Sequence, residues 1–192
     1  MGAAVLEALD PRVSVIRDRE RLAAFEMDAY IQKRALPLAA VLPDDESQVQ
    51  AVVNALKATG TPIVSRGAGT GISGGATPTP DSVVLALSKM RRIVEIDPAA
   101  RLAVVEPGVR NLAVSEAAEP AGLFFAPDPS SQSVSSIGGN VAENAGGIHC
   151  LKYGLTVHNV TGVRAIDGDG DLLEIGGRSL DSAGYDLLAV VT

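Results

Sequence analysis

The sequence predicts an α+β protein in which a parallel β-α-β subdomain is followed by a mostly antiparallel α+β subdomain. Three observations carry that expectation. Short apolar runs of strand length alternate with an amphipathic helical segment over the first half. In the second half, apolar runs flank the tight turns Asp97-Pro98-Ala99-Ala100 and Gly168-Asp169-Gly170, as the strands of hairpins do. The 20 glycines are gathered rather than spread, with dense groups at Gly67–Gly75 and Gly138–Gly147.

Residues 1–35 form a lead-in with helical signals, where Val5, Leu6 and Leu9, then Leu22, Ala23, Phe25 and Met27 stand among charges. Residues 36–98 form the first subdomain. Leu38–Leu42, closed by Pro43, has the pattern of a buried strand. Asp45 is a helix N-cap with Gln48 three positions on, Val49, Val52, Val53 and Leu56 repeat on one helical face, and Gly60 ends the helix. Pro62–Ser65 then supplies the second strand of a right-handed β-α-β unit, and Val83–Leu87 a third.

Residues 99–192 form the second subdomain. Arg92–Ile96 and Leu102–Val105 pair across the subdomain boundary as a hairpin, and residues 109–121 read as helix before the proline-rich stretch Ala126-Pro127-Asp128-Pro129-Ser130. Val160–Ala165 and Asp171–Ile175 form a further hairpin. The chain holds no internal repeat and no low-complexity segment.

Composition removes several classes of function. Sixteen Lys and Arg against 23 Asp and Glu leave a net charge of −7, which repels a nucleic acid, and three Phe, three Tyr and no Trp give no stacking platform for one. One cysteine, Cys150, permits no internal disulfide and fits a reducing, cytoplasmic location. No apolar run approaches the roughly 18 residues of a transmembrane helix, so a soluble protein is expected.

Ser65-Arg66-Gly67-Ala68-Gly69-Thr70-Gly71-Ile72-Ser73-Gly74-Gly75 follows a strand and holds five glycines. It is not a Rossmann fingerprint, because Ile72 stands where the last glycine would be, nor a Walker A loop, because Gly75 stands where lysine would be. Gly71-Ile72-Ser73-Gly74-Gly75 does fit G-x-S-x-G, and Asp128 with His149 or His158 could complete a triad with Ser73. A serine hydrolase is thus an alternative, weakened by Pro78 and Pro80, which oppose the helix a nucleophile elbow needs. The loop's own chemistry is that of an amide nest: glycines let consecutive N–H groups approach a phosphate, with Arg66 adding charge. A surface turn is the plainer reading, and five glycines make it an entropically costly one.

In the second cluster, a serine N-cap precedes Gly138 and Gly139 in a first helical turn. Such a terminus offers free N–H donors to an anion, or its glycines admit a close neighbour. Asp128 is expected to form an Asx turn, and Cys150 to be a small buried hydrophobe. His149, Cys150 and His158 match no zinc spacing, and Lys152 opposes a cation, so no metal is expected.

The pieces in order, Pro62–Gly75, Val105-Glu106-Pro107-Gly108, Ala126–Ser131, Ser136–Gly147, His149-Cys150-Leu151-Lys152-Tyr153-Gly154 and Gly184-Tyr185-Asp186-Leu187, resemble the FAD-binding (PCMH-type) domain of the vanillyl-alcohol-oxidase flavoproteins. Within them the likeness is to the glycolate oxidase and D-lactate dehydrogenase group, over roughly residues 12–192. The resemblance implies the PCMH-type fold with FAD bound by both subdomains. It implies that the backbone of Gly67, Ala68, Gly69, Thr70, Gly71 and Gly74 holds the diphosphate, which matches the amide nest with Arg66 read from the loop itself. By the same likeness Pro127, Asp128, Ser130 and Ser131 lie beside the flavin, and Gly138, Gly139, Asn140, Asn144, Gly146, Gly147, Tyr153 and Gly154 line the rest.

The reaction implied is oxidation of a small D-2-hydroxy acid, glycolate or D-lactate, by hydride transfer to flavin, with partner subunits of a glycolate oxidase complex. The family continues past the equivalent of Thr192 into a cap domain that carries substrate-binding groups. The chain is therefore expected to be C-terminally incomplete and inactive alone, with no catalytic residue assigned; His149 is the one nearby candidate base and lacks a visible orienting partner. A non-catalytic dinucleotide-binding module is the other alternative.

Overall fold

A computed structural model describes residues 11–178 and 184–192. The part of the lead-in holding Val5, Leu6 and Leu9 lies outside the described residues. The chain divides into two compact units, one of Met1–Met90 with Ile166–Leu172 and the other of Arg91–Ala165 with Leu173–Thr192.

The first unit is built on a four-stranded sheet of β1 (Ser14–Ile16), β2 (Ala39–Leu42), β3 (Ile63–Arg66) and β4 (Val83–Ala86), in the order β1-β2-β4-β3. β4 runs parallel to both β2 and β3, while β1 is antiparallel to β2. The β-α-β unit expected from the sequence is present, but β4 lies between its two strands. All of β4 is buried, as a central parallel strand covered on both faces must be.

Alternation along β2 and β4 then makes two cores. Ala39, Val41, Val83 and Leu85 pack with Val52, Val53 and Leu56 of helix α2 (Glu46–Lys57). Ala40, Val84 and Ala86 pack with Ile16 and with Leu22 of helix α1 (Arg19–Leu22). The α2 cap is the one read from the sequence: the Asp45 carboxylate accepts from Gln48 N at 2.9 Å, and Gln48 Oε1 accepts from Asp44 N at 2.8 Å.

The helical lead-in is corrected. Among its described residues only α1 and a 3-10 turn, Ala23–Phe25, are helical, and Ser14–Ile16 is a strand. Pairing with β2 buries Ile16, which outweighs a helical propensity carried by few residues.

The second unit holds a hairpin of β5 (Ile93–Asp97) and β6 (Leu102–Val105), antiparallel with a register shift between Ile93 and Glu95. The unit boundary after Met90 and the expected division near residue 98 differ by β5, which this pairing keeps with β6. Helix α3 (Asn111–Ala118) continues into a 3-10 turn, Glu119–Ala121, and two shorter helices, α4 (Ile137–Ala142) and α5 (Cys150–Tyr153), follow. The last sheet pairs β7 (Gly162–Ile166) with β8 (Leu172–Gly176), and helix α6 (Leu187–Val191) closes the described chain. No helix of the described residues is long and apolar enough to cross a membrane.

Candidate cofactor-binding site

The glycine loop leaves the C-terminal end of β3 beside β4, where Leu87 N donates to Arg66 O at 3.0 Å. Loops at this end of a parallel sheet are where α/β folds place ligands. Among the described residues, none accepts a hydrogen bond from the amides of Gly67, Ala68, Gly69, Thr70 or Gly71. Gly69 has φ +73°, a left-handed conformation that changes the direction of successive amides as an anion nest requires.

The loop is nevertheless held at three points. Arg66 Nη1 donates to Met27 O at 2.9 Å, Gly71 O accepts from Ala29 N at 3.1 Å, and Ala76 N donates to Asp28 Oδ2 at 3.1 Å. The Arg66 guanidinium also reaches Ala76 O and Ala24 O and lies 5.9 Å from the centre of the Phe25 ring. Burial pulls its pKa below the ordinary arginine value, and the Asp28 carboxylate opposes that pull. Tyr30 covers Gly74, where an added Cβ would stand 3.4 Å from Cδ1 of the ring. The side of Gly69 that a side chain would occupy is filled by the Arg66 guanidinium.

Sequence reasoning did not find Met27, Asp28 and Ala29 as partners of this loop. Asp28 is 5% exposed, a signal of function available only once the fold is known. The loop leads through turns into β4, not into a helix, so Ser73 does not sit on a nucleophile elbow.

In the second unit, the first amides of α4 have partners within the protein, as in the close-neighbour alternative of the two the sequence left open. Ile137 N donates to Val109 O, Gly138 N to Pro107 O at 2.8 Å, and Gly139 N to Ser136 Oγ at 3.2 Å. An added Cβ at Gly138 would stand 2.7 Å from Pro107 Cβ, so this glycine admits a close neighbour. That neighbour is fixed in turn, since Glu106 takes Arg92 N, Nε and Nη2 at 2.7–2.8 Å. Around α4, among the described residues, Asn140 Nδ2 and Ser135 Oγ are buried without a partner. An orphaned buried donor of this kind fits an oxygen-rich ligand such as FAD, because leaving it unmade costs about 1–3 kcal/mol.

The proline-rich stretch is anchored by Asn111, which is 1% exposed and donates from Nδ2 to Pro127 O at 3.0 Å. Asp128 does not form the expected Asx turn. Its Oδ2 lies 2.5 Å from His149 Nδ1 and its Oδ1 accepts from His149 N at 3.3 Å, so that of the two histidines the sequence set beside Asp128 it is His149 that the carboxylate orients. Burial raises the Asp128 pKa, and the hydrogen bonds from the His149 ring and amide outweigh it, so the carboxyl titrates below the ordinary range. The approach of these two segments requires Gly147, where any Cβ would collide with the Asp128 carbonyl.

An open pocket of about 370 Å³ is lined by Asp128, Ser130, Gln132, Gly146, Gly147 and Ile148. Ser131 O accepts from the amides of Val134 and Ser135, shaping the turn after Pro129. Asn144, at φ +46°, accepts from Val157 N at 3.1 Å. Tyr153 packs edge-on to Phe124 with ring centres 5.7 Å apart, and Gly154 ends α5. Cys150 is half-buried rather than buried, its sulfur accepting from Gly147 N at 2.9 Å. Among the described residues no three His, Cys, Asp or Glu side chains are grouped to hold a metal ion.

Against known proteins, a family model described as FAD binding domain matches residues 37–176. The chain is 48% identical over 182 residues to the glycolate oxidase subunit GlcD of Escherichia coli, covering 95% of this chain and 36% of that protein. It is 36% identical over 171 residues to the D-lactate dehydrogenase of Archaeoglobus fulgidus, covering 84% and 38%. The chain thus spans little more than a third of the length of these relatives. Among solved structures, an alkyldihydroxyacetonephosphate synthase superposes with a TM-score of 0.85 at 18% identity, over 99% of this chain and 36% of that one, a likeness of fold.

Proposed function

Because the chain belongs to the FAD binding domain family, we propose that it is the flavin-holding part of an oxidoreductase that converts a small D-2-hydroxy acid, glycolate or D-lactate, to the 2-oxo acid. FAD is the cofactor. The run of unpartnered amides from Gly67 to Gly71 carries the reading, since a diphosphate is the part of FAD that such a run suits.

In this proposal Gly67, Ala68, Gly69, Thr70, Gly71 and Gly74 bind the diphosphate through their backbone, and Arg66 sets the loop and adds positive charge. Asn140 donates from its free Nδ2, and Gly138 and Gly139 precede it in the first turn of α4. Pro127, Asp128, Ser130 and Ser131 line the flavin together with Asn144, Gly146, Gly147, Tyr153 and Gly154.

When bound, FAD supplies the two-electron acceptor for the hydride leaving the substrate Cα, while the hydroxyl proton passes to a base. The Asp128–His149 pair is assigned to holding the proline-rich stretch against the turn at Gly147, and no base is assigned within this chain. We further propose assembly with partner subunits of a glycolate oxidase complex, as the designation of the GlcD relative as a glycolate oxidase subunit suggests, and a cytoplasmic location.

The test is the visible spectrum of the purified chain followed by acid extraction and chromatography. Oxidised-flavin bands and released FAD are expected. Recovery of FMN alone, or a colourless chain that takes up no FAD, would overturn the reading. Anaerobic addition of glycolate or D-lactate should leave the FAD of this chain oxidised and bleach that of a protein of the relatives' full length.

A further inference from the structure

We infer that Asp28 is a positioning residue for the FAD diphosphate: it holds the glycine loop in shape from outside, so that the amides of Gly67–Gly71 stay free for the ligand. The inference rests on the reading of that loop as the diphosphate site.

The segment Met27–Ala29 runs along the loop as a splint. Loop residues 66, 71 and 76 are bonded to Met27, Ala29 and Asp28, at 2.9, 3.1 and 3.1 Å. What these bonds consume is specific. They use the Arg66 side chain, the Gly71 carbonyl and the Ala76 amide, and none takes an amide between 67 and 71. A glycine-rich loop without such ties would lose much conformational entropy on closing around an anion. Ties made in advance lower that loss, the general basis of tight binding by a preorganised site.

Asp28 is the side chain through which the splint acts. Its Oδ1 accepts from Tyr30 N at 2.9 Å and Thr77 Oγ1 at 3.1 Å, and its Oδ2 from Ala76 N, so one carboxylate fixes both its own segment and the far end of the loop. A negative group near an anion site would ordinarily oppose binding. Here it is 5% exposed, its oxygens face donors of the protein, and the Arg66 guanidinium offsets its charge. Asp28 therefore shapes the loop without serving as a ligand.

The test measures FAD affinity by quenching of flavin fluorescence in the wild type and in Asp28→Asn, which keeps the shape and replaces one acceptor by a donor. Affinity should fall about tenfold or more, the equivalent of one hydrogen bond to a charged group. Hydrogen exchange gives a second readout. In the variant, FAD should no longer protect the amides of Gly67–Gly71, while those of β4 keep their protection. Thr77→Val, which removes one of the three donors and retains the carboxylate, should show the same pattern with a smaller loss. Wild-type affinity and wild-type protection in either variant would overturn the inference while leaving the loop as the diphosphate site. Absence of FAD-dependent protection at Gly67–Gly71 in the wild type would instead overturn the reading of the loop, and the inference with it.

Discussion

A Cβ on residue 69 would stand 2.5 Å from Cζ of Arg66, so it is the glycine at 69 that lets the Arg66 guanidinium lie across the loop and reach Met27 O. The two residues act as one unit. Sequence reasoning assigns Gly69 to close approach of a phosphate, and the structure gives that side of the residue to the arginine.

Gly69→Ala should therefore cost more than the roughly 1–2 kcal/mol of a side chain in the left-handed region, because it also displaces the guanidinium from its carbonyls. In an Arg66→Ala background only the backbone cost remains. Urea unfolding of the four proteins should give a coupling of about 0.5–3 kcal/mol, and costs that simply add would refute the link.

The Asp128 carboxyl titrates below its ordinary range, so its folded pKa lies under its unfolded one. Such a group contributes stability that is present above the unfolded value, about 3.9, and lost as pH falls through the folded value. Thermal unfolding should place Asp128→Asn below the wild type at neutral pH, with the gap closing as scans move below about pH 4. A gap that stays constant into that acid range would show that the His149 hydrogen bonds contribute nothing as a charged interaction.

Gly138→Ala and Gly168→Ala should separate sharply. The first would press a methyl to 2.7 Å from Pro107 Cβ and 3.1 Å from Pro107 O, and overpacking of this kind costs about 1–3 kcal/mol. The second meets nothing within 4 Å and should be neutral or stabilising by up to about 1 kcal/mol, since alanine narrows the unfolded ensemble. Equal midpoints in denaturant for the two variants would be inconsistent with the packing at Pro107.

Asn111→Ala removes the donor to Pro127 O and leaves a buried carbonyl unpaired, at a cost of about 1–3 kcal/mol. Because the same change frees the stretch before Asp128, hydrogen exchange at Asp128 and at His149 should rise with it. Unchanged exchange there would mean that Gly147 and His149 hold the stretch without help.

The sequence by itself determined what depends on near neighbours. Asp45 with Gln48 starts α2, the spacing of Val49, Val52, Val53 and Leu56 gives its buried face, and the apolar runs mark β2 to β6 to within one or two residues. The glycine loop and the proline-rich stretch were legible for the same reason, since a turn is written in the residues that make it. The tertiary structure alone decided which distant partners complete them. Asp28 meets Ala76 across 48 positions, His149 meets Asp128 across 21, and Asn111 meets Pro127 across 16. Local pattern also left open whether the α4 terminus faces a ligand or Pro107, and whether β4 lies outside β3 or between β2 and β3. Both were settled by burial: β4, apolar on both faces, is stable only in the middle of the sheet, and Gly138 is the residue whose missing side chain lets the Pro107 turn close over α4.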